Sequence, residues 1–359
     1  MNDLAELKQF VVAHAISQSL PADHYSAVLD RIESDPGDEP GSWPWEWIRA
    51  GEELDAAGDT LAACQYFNLG RFPFVDGPGR QRAQDRCVET FDRWRSAVPV
   101  IQPETVTVDG VPTKIWTAGL SADHPRPLLV MTGGIVSTKE QWAPVLTQIA
   151  EFGMAGVVAE LPGVGENRAR YDADSWRLFP AVLDALADRA EVGRTYLLAL
   201  SFSGHLAITA AGADERIRGI VSSGPPIADF FTDPAWQDVL PRVTRDTFAH
   251  LVRVPPAEVH SHTSGWALTD ERLRELDIPL AVVTASRDEI IPPGDPARLK
   301  ECVKDLRLLE YDDVHGAPSH LAEVRLWSLL SVLEMREDSD ANVRSRLAAA
   351  LASLRAEAS

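Results

Sequence analysis

Cysteine is scarce: Cys64, Cys87 and Cys302 are the only three in 359 residues. Their number is odd and no CxxC spacing occurs. This excludes a disulfide framework and a cysteine zinc site and fits a reducing compartment. Positive charge is thin as well. Lys and Arg number 34 against 54 Asp and Glu, a net charge of -20 with a pI near 4.8, so nucleic acid and anionic membrane are excluded as natural partners. No apolar run reaches the roughly 18–20 residues that span a bilayer. The N-terminal MNDLAELKQFVVAHAIS has no basic stretch ahead of its apolar residues. It reads as an amphipathic helix rather than a secretory signal, and the expectation is a cytoplasmic protein. The apolar fraction, 45%, is enough for a sizeable core. A small-molecule substrate remains the natural partner.

At this length two structural units are expected. Residues 1–97 carry helical patterns separated by turns, including a hairpin over WEWIRAGEELDAAGDTLAACQYFNLGRFPF that turns at Gly58-Asp59. No repeat of fixed period accompanies it, so a small all-helical cap domain is expected and not a repeat array. Residues 98–359 read differently. ETVTVDGVPTKIWTAG alternates around Asp109-Gly110, a hairpin signal. Short continuous apolar runs then alternate with helical segments: PLLVMTGG, AGVVAELPG, TYLLALSFSG, IRGIVSSGPP, PLAVVTASRDE and LRLLEYDDVH. That pattern predicts an α/β domain with a mostly parallel sheet covered on both faces. The stretch around 223–275 is too long for an ordinary crossover and predicts a lid-like insertion.

The stretch ALSFSG, residues 199–204, follows an apolar strand and precedes a helix. A nucleophile elbow, G-x-S-x-G, holds its serine on a strained turn where strand and helix crowd together, so its flanking residues must be small. Strand register places the nucleophile at Ser201. Ala199 and Ser203 then occupy the usual glycine slots, and a slot that demands positive φ would add about 1 kcal/mol of strain or more. The bland reading is a serine capping a helix after a buried strand. Partners favour chemistry. Asp288 follows the strand PLAVVTA and His315 follows the next strand, LRLLEY, in the order serine, acid, histidine. Glu289 is the fallback acid and His320 the fallback base, while Asp312 and Asp313 read as solvated loop residues. Oxyanion donors are expected from the backbone amides of Phe202 and Ile135, with Gly134 allowing close approach.

MTGGIVSTKEQW, ELPGVGEN, ALSFSGHLA, SRDEIIP and DDVHGAPSHL together resemble the successive signatures of the α/β-hydrolase superfamily. Within it they are most similar to the subgroup of the fermentation–respiration switch protein and the dihydroxypseudooxynicotine hydrolases. The run Gly-Gly-x-x-Ser-Thr-Lys-Glu at 133–140 is the most specific element. The resemblance implies a Ser–Asp–His triad at Ser201, Asp288 and His315 under a roof of N-terminal helices. It implies cleavage of an ester, a thioester or a carbon–carbon bond next to a carbonyl, in a medium-sized and largely apolar substrate of catabolism or natural-product biosynthesis. Two other readings stand beside it: acyl transfer to an internal hydroxyl, giving a lactone, and a hydrolase fold that binds without acyl chemistry. Dehalogenation would need an aspartate at the elbow.

Phe230 and Phe231, after the sixth strand, Trp266 in the insertion, and Glu160, at the end of the fourth strand, are candidate substrate contacts. His260 and His262 could ligate a metal only with a third ligand that the sequence does not show, so no metal and no cofactor are expected. ELPGVGEN lacks the lysine of a phosphate loop and reads as lining for the site. A homodimer through the helical region stays open.

Overall fold

The computed structural model describes residues 2–357. Five helices come first: α1 (Leu4–Ser17), α2 (Ala22–Arg31), α3 (Trp43–Ala56), α4 (Thr60–Arg71) and α5 (Pro78–Ser96). Asp3 caps α1 by accepting from the amides of Ala5 and Glu6. The turn between α3 and α4 falls where the sequence puts it: Gly58 takes φ 88° and the Asp59 carboxylate caps α4 at Ala62 N.

Eight strands follow: β1 (Gln102–Val108), β2 (Val111–Ala118), β3 (Pro127–Thr132), β4 (Ala155–Ala159), β5 (Glu191–Leu200), β6 (Ile217–Ser223), β7 (Leu280–Ala285) and β8 (Leu306–Tyr311). They form one sheet in the order β1-β2-β4-β3-β5-β6-β7-β8. β2 runs antiparallel to both β1 and β4, and all other pairings are parallel. β3 and β4 are buried along their whole length, as strands covered on both faces must be.

The covering helices are α6 (Lys139–Trp142), α7 (Leu178–Leu186), α8 (Phe202–Ala211), α9 (Asp229–Thr232), α10 (Pro234–Val239), α11 (Arg242–Val252), α12 (Val259–Thr263), α13 (Asp270–Arg274), α14 (Gly294–Cys302), α15 (Leu321–Met335) and α16 (Ala341–Glu357). α9 to α13 make up the long excursion between β6 and β7. Its start is tied down by the buried Asp295 carboxylate, which accepts from the amides of Ile227 (2.8 Å), Ala228 (2.9 Å) and Asp229 (2.7 Å). Its α11 meets α1, where Val243 N donates to Glu6 Oε2 at 2.8 Å.

The apolar core does not stop at the boundary between the helical region and the sheet. Phe67 and Phe91 of α4 and α5 share one buried cluster with Trp116, Leu129 and Met131 of the sheet, and the Phe91 and Trp116 rings lie 4.9 Å apart. The helices are thereby fixed over the carboxyl ends of the parallel strands, where open α/β sheets hold their sites.

Candidate active site

Five strand ends converge there. β5 ends at Leu200, and Ser201 turns the chain into α8 with φ 56° and ψ -128°. This is a costly backbone for a residue with a Cβ, and it is the strained turn an elbow requires. The neighbours do not share the strain: neither Ala199 nor Ser203 has positive φ. Ala199 is an ordinary buried strand residue, and the Ser203 hydroxyl, fully buried, donates to Leu200 O (2.9 Å) or to Thr132 O (3.2 Å). The tight contact of the elbow falls one residue later. A Cβ built at Gly204 would stand 2.2 Å from Ser222 Oγ.

Ser201 Oγ lies 2.9 Å from His315 Nε2, and His315 Nδ1 lies 2.9 Å from Asp288 Oδ2 and 3.0 Å from Oδ1. Asp288 is itself held, its Oδ1 accepting from the amides of Ile290 (2.9 Å) and Ile291 (2.8 Å). With Nδ1–H donated to the carboxylate, Nε2 is free to accept from the serine hydroxyl. Burial opposes charge on His315, but the Asp288 and Glu289 carboxylates outweigh it and hold the imidazole pKa above its ordinary 6.5. Glu289 acts through the backbone as well, accepting from His315 N at 3.0 Å.

The loop after β3 passes beside the serine: a Cβ at Gly134 would lie 3.1 Å from Ser201 Cβ. Among the described residues neither Phe202 N nor Ile135 N has an acceptor. An unsatisfied amide directly after a hydroxyl poised against a histidine, as at Phe202, can receive the oxygen of a tetrahedral adduct.

Several expectations are corrected here. Glu160 does not face a substrate. It is 1% exposed, and its oxygens accept from Lys139 N (3.1 Å), Lys139 Nζ (3.1 Å) and Glu166 N (2.8 Å). Lys139 Nζ also pairs with Glu140 (2.8 Å) and Glu166 (2.8 Å). Burial, which outweighs the attraction of Lys139, raises the Glu160 pKa to about 6. This cluster anchors the loop that carries Gly134 and Ile135. Phe230 and Phe231 are 0% and 1% exposed and form an aromatic core with Phe202 and Phe248, so they offer no surface to a ligand. Trp266 is half-buried at the edge of that core, 6.4 Å from Phe231. Asp313 is buried, not solvated, and caps its loop by accepting from Val314 N and Ser319 N. Asp312 is exposed and pairs with Arg287. His320 stacks on Tyr311 at 4.2 Å, without a hydrogen bond to Ser201. His260 and His262 sit on α12, and no metal-binding group of three occurs among the described residues. No described helix is long and apolar enough to cross a membrane.

Sequence reasoning missed three residues that the fold brings to the same loop from the helical region: His14, Asn68 and Arg71. Their only signal was a polar side chain inside an apolar run, FVVAHAIS and CQYFNLGRFPF.

Comparison with known proteins agrees with this architecture. A solved structure named AbyA5 wild type shares 54% identity and superposes with a TM-score of 0.94, covering 98% of this chain and 100% of that one. Esterase FrsA of Photobacterium profundum is 23% identical over 331 residues, 84% of this chain and 77% of that protein. The 2,6-dihydropseudooxynicotine hydrolase of Paenarthrobacter nicotinovorans is 24% identical over 252 residues, 68% of this chain and 66% of that protein. The family model for FrsA-like esterases matches residues 37–267, and the chain belongs to that family of α/β-hydrolases.

Proposed function

We propose that the protein is a serine hydrolase that cleaves an ester through an acyl-enzyme, with Ser201 as nucleophile, His315 as general base and acid, and Asp288 as the group that orients the imidazole. The observation that carries this reading is the continuous hydrogen-bond path from Ser201 Oγ through His315 to Asp288, on a serine held at positive φ. His315 Nε2 takes the hydroxyl proton as Ser201 Oγ attacks the carbonyl carbon. The oxygen of the adduct is received by the Phe202 and Ile135 amides. The imidazolium then returns the proton to the departing alkoxide, and the acyl group stays on Ser201. Water attacks next, giving its proton to His315, and the collapse releases the acid and restores the serine. A thioester follows the same path. A carbon–carbon bond beside a carbonyl does so only where the leaving carbanion is stabilised by a ketone or an aromatic ring.

The helices α1 to α5 act in this reading as a cap domain that excludes water from the acyl-enzyme, with residues 98–359 as the catalytic domain. Labelling with a fluorophosphonate probe tests the assignment. Label lost in Ser201→Ala and kept in Ser203→Ala supports it; label retained in Ser201→Ala overturns it.

A further inference from the structure

A cleft of about 630 Å³ opens between α5, the first two strands and the loop after β4. None of the residues lining it belongs to the path from Ser201 to Asp288. From α5 it is lined by positions 81, 84, 85, 88, 89 and 92, whose three- and four-residue spacing puts them along one flank of the helix. Facing that flank, Thr105 of β1 pairs with Lys114 of β2, and Pro103 with Trp116. Alternation along a strand gives these four side chains one face of the sheet. Gly165, Glu166 and Arg168 close the third side.

Gln84 is 3% exposed. Neither its amide nitrogen nor its amide oxygen has a hydrogen-bond partner, and among the described residues no other side chain has two such buried atoms. A buried amide in this state has given up its water without compensation. On one side of Gln84 lie Cys87 and Phe91 of the buried flank; on the other lie Val88 and Asp92 of the cleft. The amide thus stands at the seam where the core meets the cleft. What it lacks is an acceptor and a donor side by side, as a second amide presents them.

Five carboxylates line the cleft against two cations, Lys114 and Arg168. Three of the five are matched: Asp92 by Arg95 (2.6 Å), Glu104 by Arg189 (2.6 Å) and Glu166 by Lys114 (2.7 Å). Asp85 and Glu89, one helical turn apart, have no ion pair among the described residues. Asp85 accepts only from the neutral Gln81 amide, at 2.8 Å. Arg168 comes from the loop and not from the helix. No group of three carboxylate, histidine or cysteine side chains among the described residues could hold a metal ion, so the charge of the cleft calls for an organic cation. A chain with a net charge of -20 attracts cations at long range.

We propose that this cleft binds a small organic cation that also carries a neutral amide. The amide answers both ends of Gln84, and the ammonium lies against Asp85 and Glu89. Gln84 and Glu89 are separated by about 7.5 Å along the helix axis, at about 1.5 Å per residue, which a spacer of about four methylenes covers together with the reach of the glutamate. Val88 and Trp116 give that spacer an apolar wall. An N-acylated diamine has this chemistry, and its binding is independent of the hydrolase reading.

The test is calorimetry of the full chain with N-acetylputrescine. N-Butylacetamide keeps the amide without the charge, and butylamine keeps the charge without the amide. N-Acetylputrescine should bind at least tenfold more tightly than either. Gln84→Leu and Glu89→Gln should each weaken it at least fivefold, with butylamine affected by Glu89→Gln alone. Without ligand, Gln84→Leu should raise the unfolding midpoint by about 2 °C or more, because an unpartnered amide gives way to an apolar group of similar size. A lowered midpoint would mean that the amide serves the fold, and it overturns the proposal. Equal affinity for the three probes, or N-acetylputrescine binding untouched by Gln84→Leu, overturns it as well. So does a blocked trilysine peptide that binds tenfold more tightly than N-acetylputrescine, since the cleft would then be a peptide groove.

Discussion

Gly224 lies against the His315 imidazole: a Cβ built on it would stand 2.6 Å from His315 Cε1 and 2.9 Å from Nδ1. Its φ is 59°. No other residue type fits both the backbone and the gap. Gly224→Ala is expected to cost about 1–2 kcal/mol in backbone strain and to tilt His315 away from Ser201. Loss of a positioned base lowers kcat/KM by about 10²-fold or more. Steady-state kinetics beside a denaturant titration separates the two effects. Full activity in a folded variant would contradict the placement of His315.

Asp288 both fixes the tautomer of His315 and raises its pKa. Asp288→Asn should lower kcat by about 10³–10⁴-fold, the size seen where a triad acid is replaced by its amide. The native pH profile of kcat/KM should rise with pH through a midpoint above 6.5, because the base works only when neutral and its pKa is raised. The residual activity of the variant should turn at a lower pH. The same pair links pH to stability: the charged imidazole stabilises the fold below its ordinary value, and this is lost as pH climbs through the raised one.

Lys139 is 0% exposed and pairs with Glu140, Glu160 and Glu166. Lys139→Met leaves Glu140 and Glu160 buried without their cation, while Glu166 keeps Lys114. Breaking a buried pair in this way costs about 3–5 kcal/mol. Urea titration should show the loss, and fluorophosphonate labelling of the surviving folded fraction should be slowed, since the loop with Ile135 is anchored through Lys139.

Ser203 occupies a slot where glycine is usual, but inside α8 and without backbone strain. Ser203→Gly should therefore keep kcat/KM within a few-fold and lower stability by about 1–2 kcal/mol, the helix cost of glycine together with one lost hydroxyl hydrogen bond. A large gain in activity would mean that the serine hinders the native elbow.

The proposed triad residues, which the fold brings within hydrogen-bond distance, were legible because they depend on local signals. Short apolar strands have recognisable ends, a parallel sheet places all those ends on one edge, and chain order then assigns Ser201, Asp288 and His315. Glu160 was misread for the opposite reason. Its strand end was placed correctly, but whether the carboxylate faces the cavity or a lysine 21 positions away depends on how the loop from Gly133 to Trp142 folds back. Phe230 and Phe231 likewise sit at the right strand end and turn into the core, because the Asp295 carboxylate gathers the amides around them. Asp313 looked like its exposed neighbour Asp312 until the loop closed on it.

Periodicity, turn residues and motif order by themselves determined the α/β architecture, the helical N-terminal region, the hairpin at Asp109-Gly110 and the strand-end positions of the serine, the acid and the histidine. Each follows from interactions between residues close in sequence or from a rule about strand ends. Only the tertiary structure decided what surrounds them. Arg71 reaches the loop after β3 and His14 reaches α6 from more than 60 residues upstream, Lys139 gathers three carboxylates, and Gly224 makes room for His315. These depend on the packing of distant apolar faces, and no local pattern records which polar group that packing leaves without a partner.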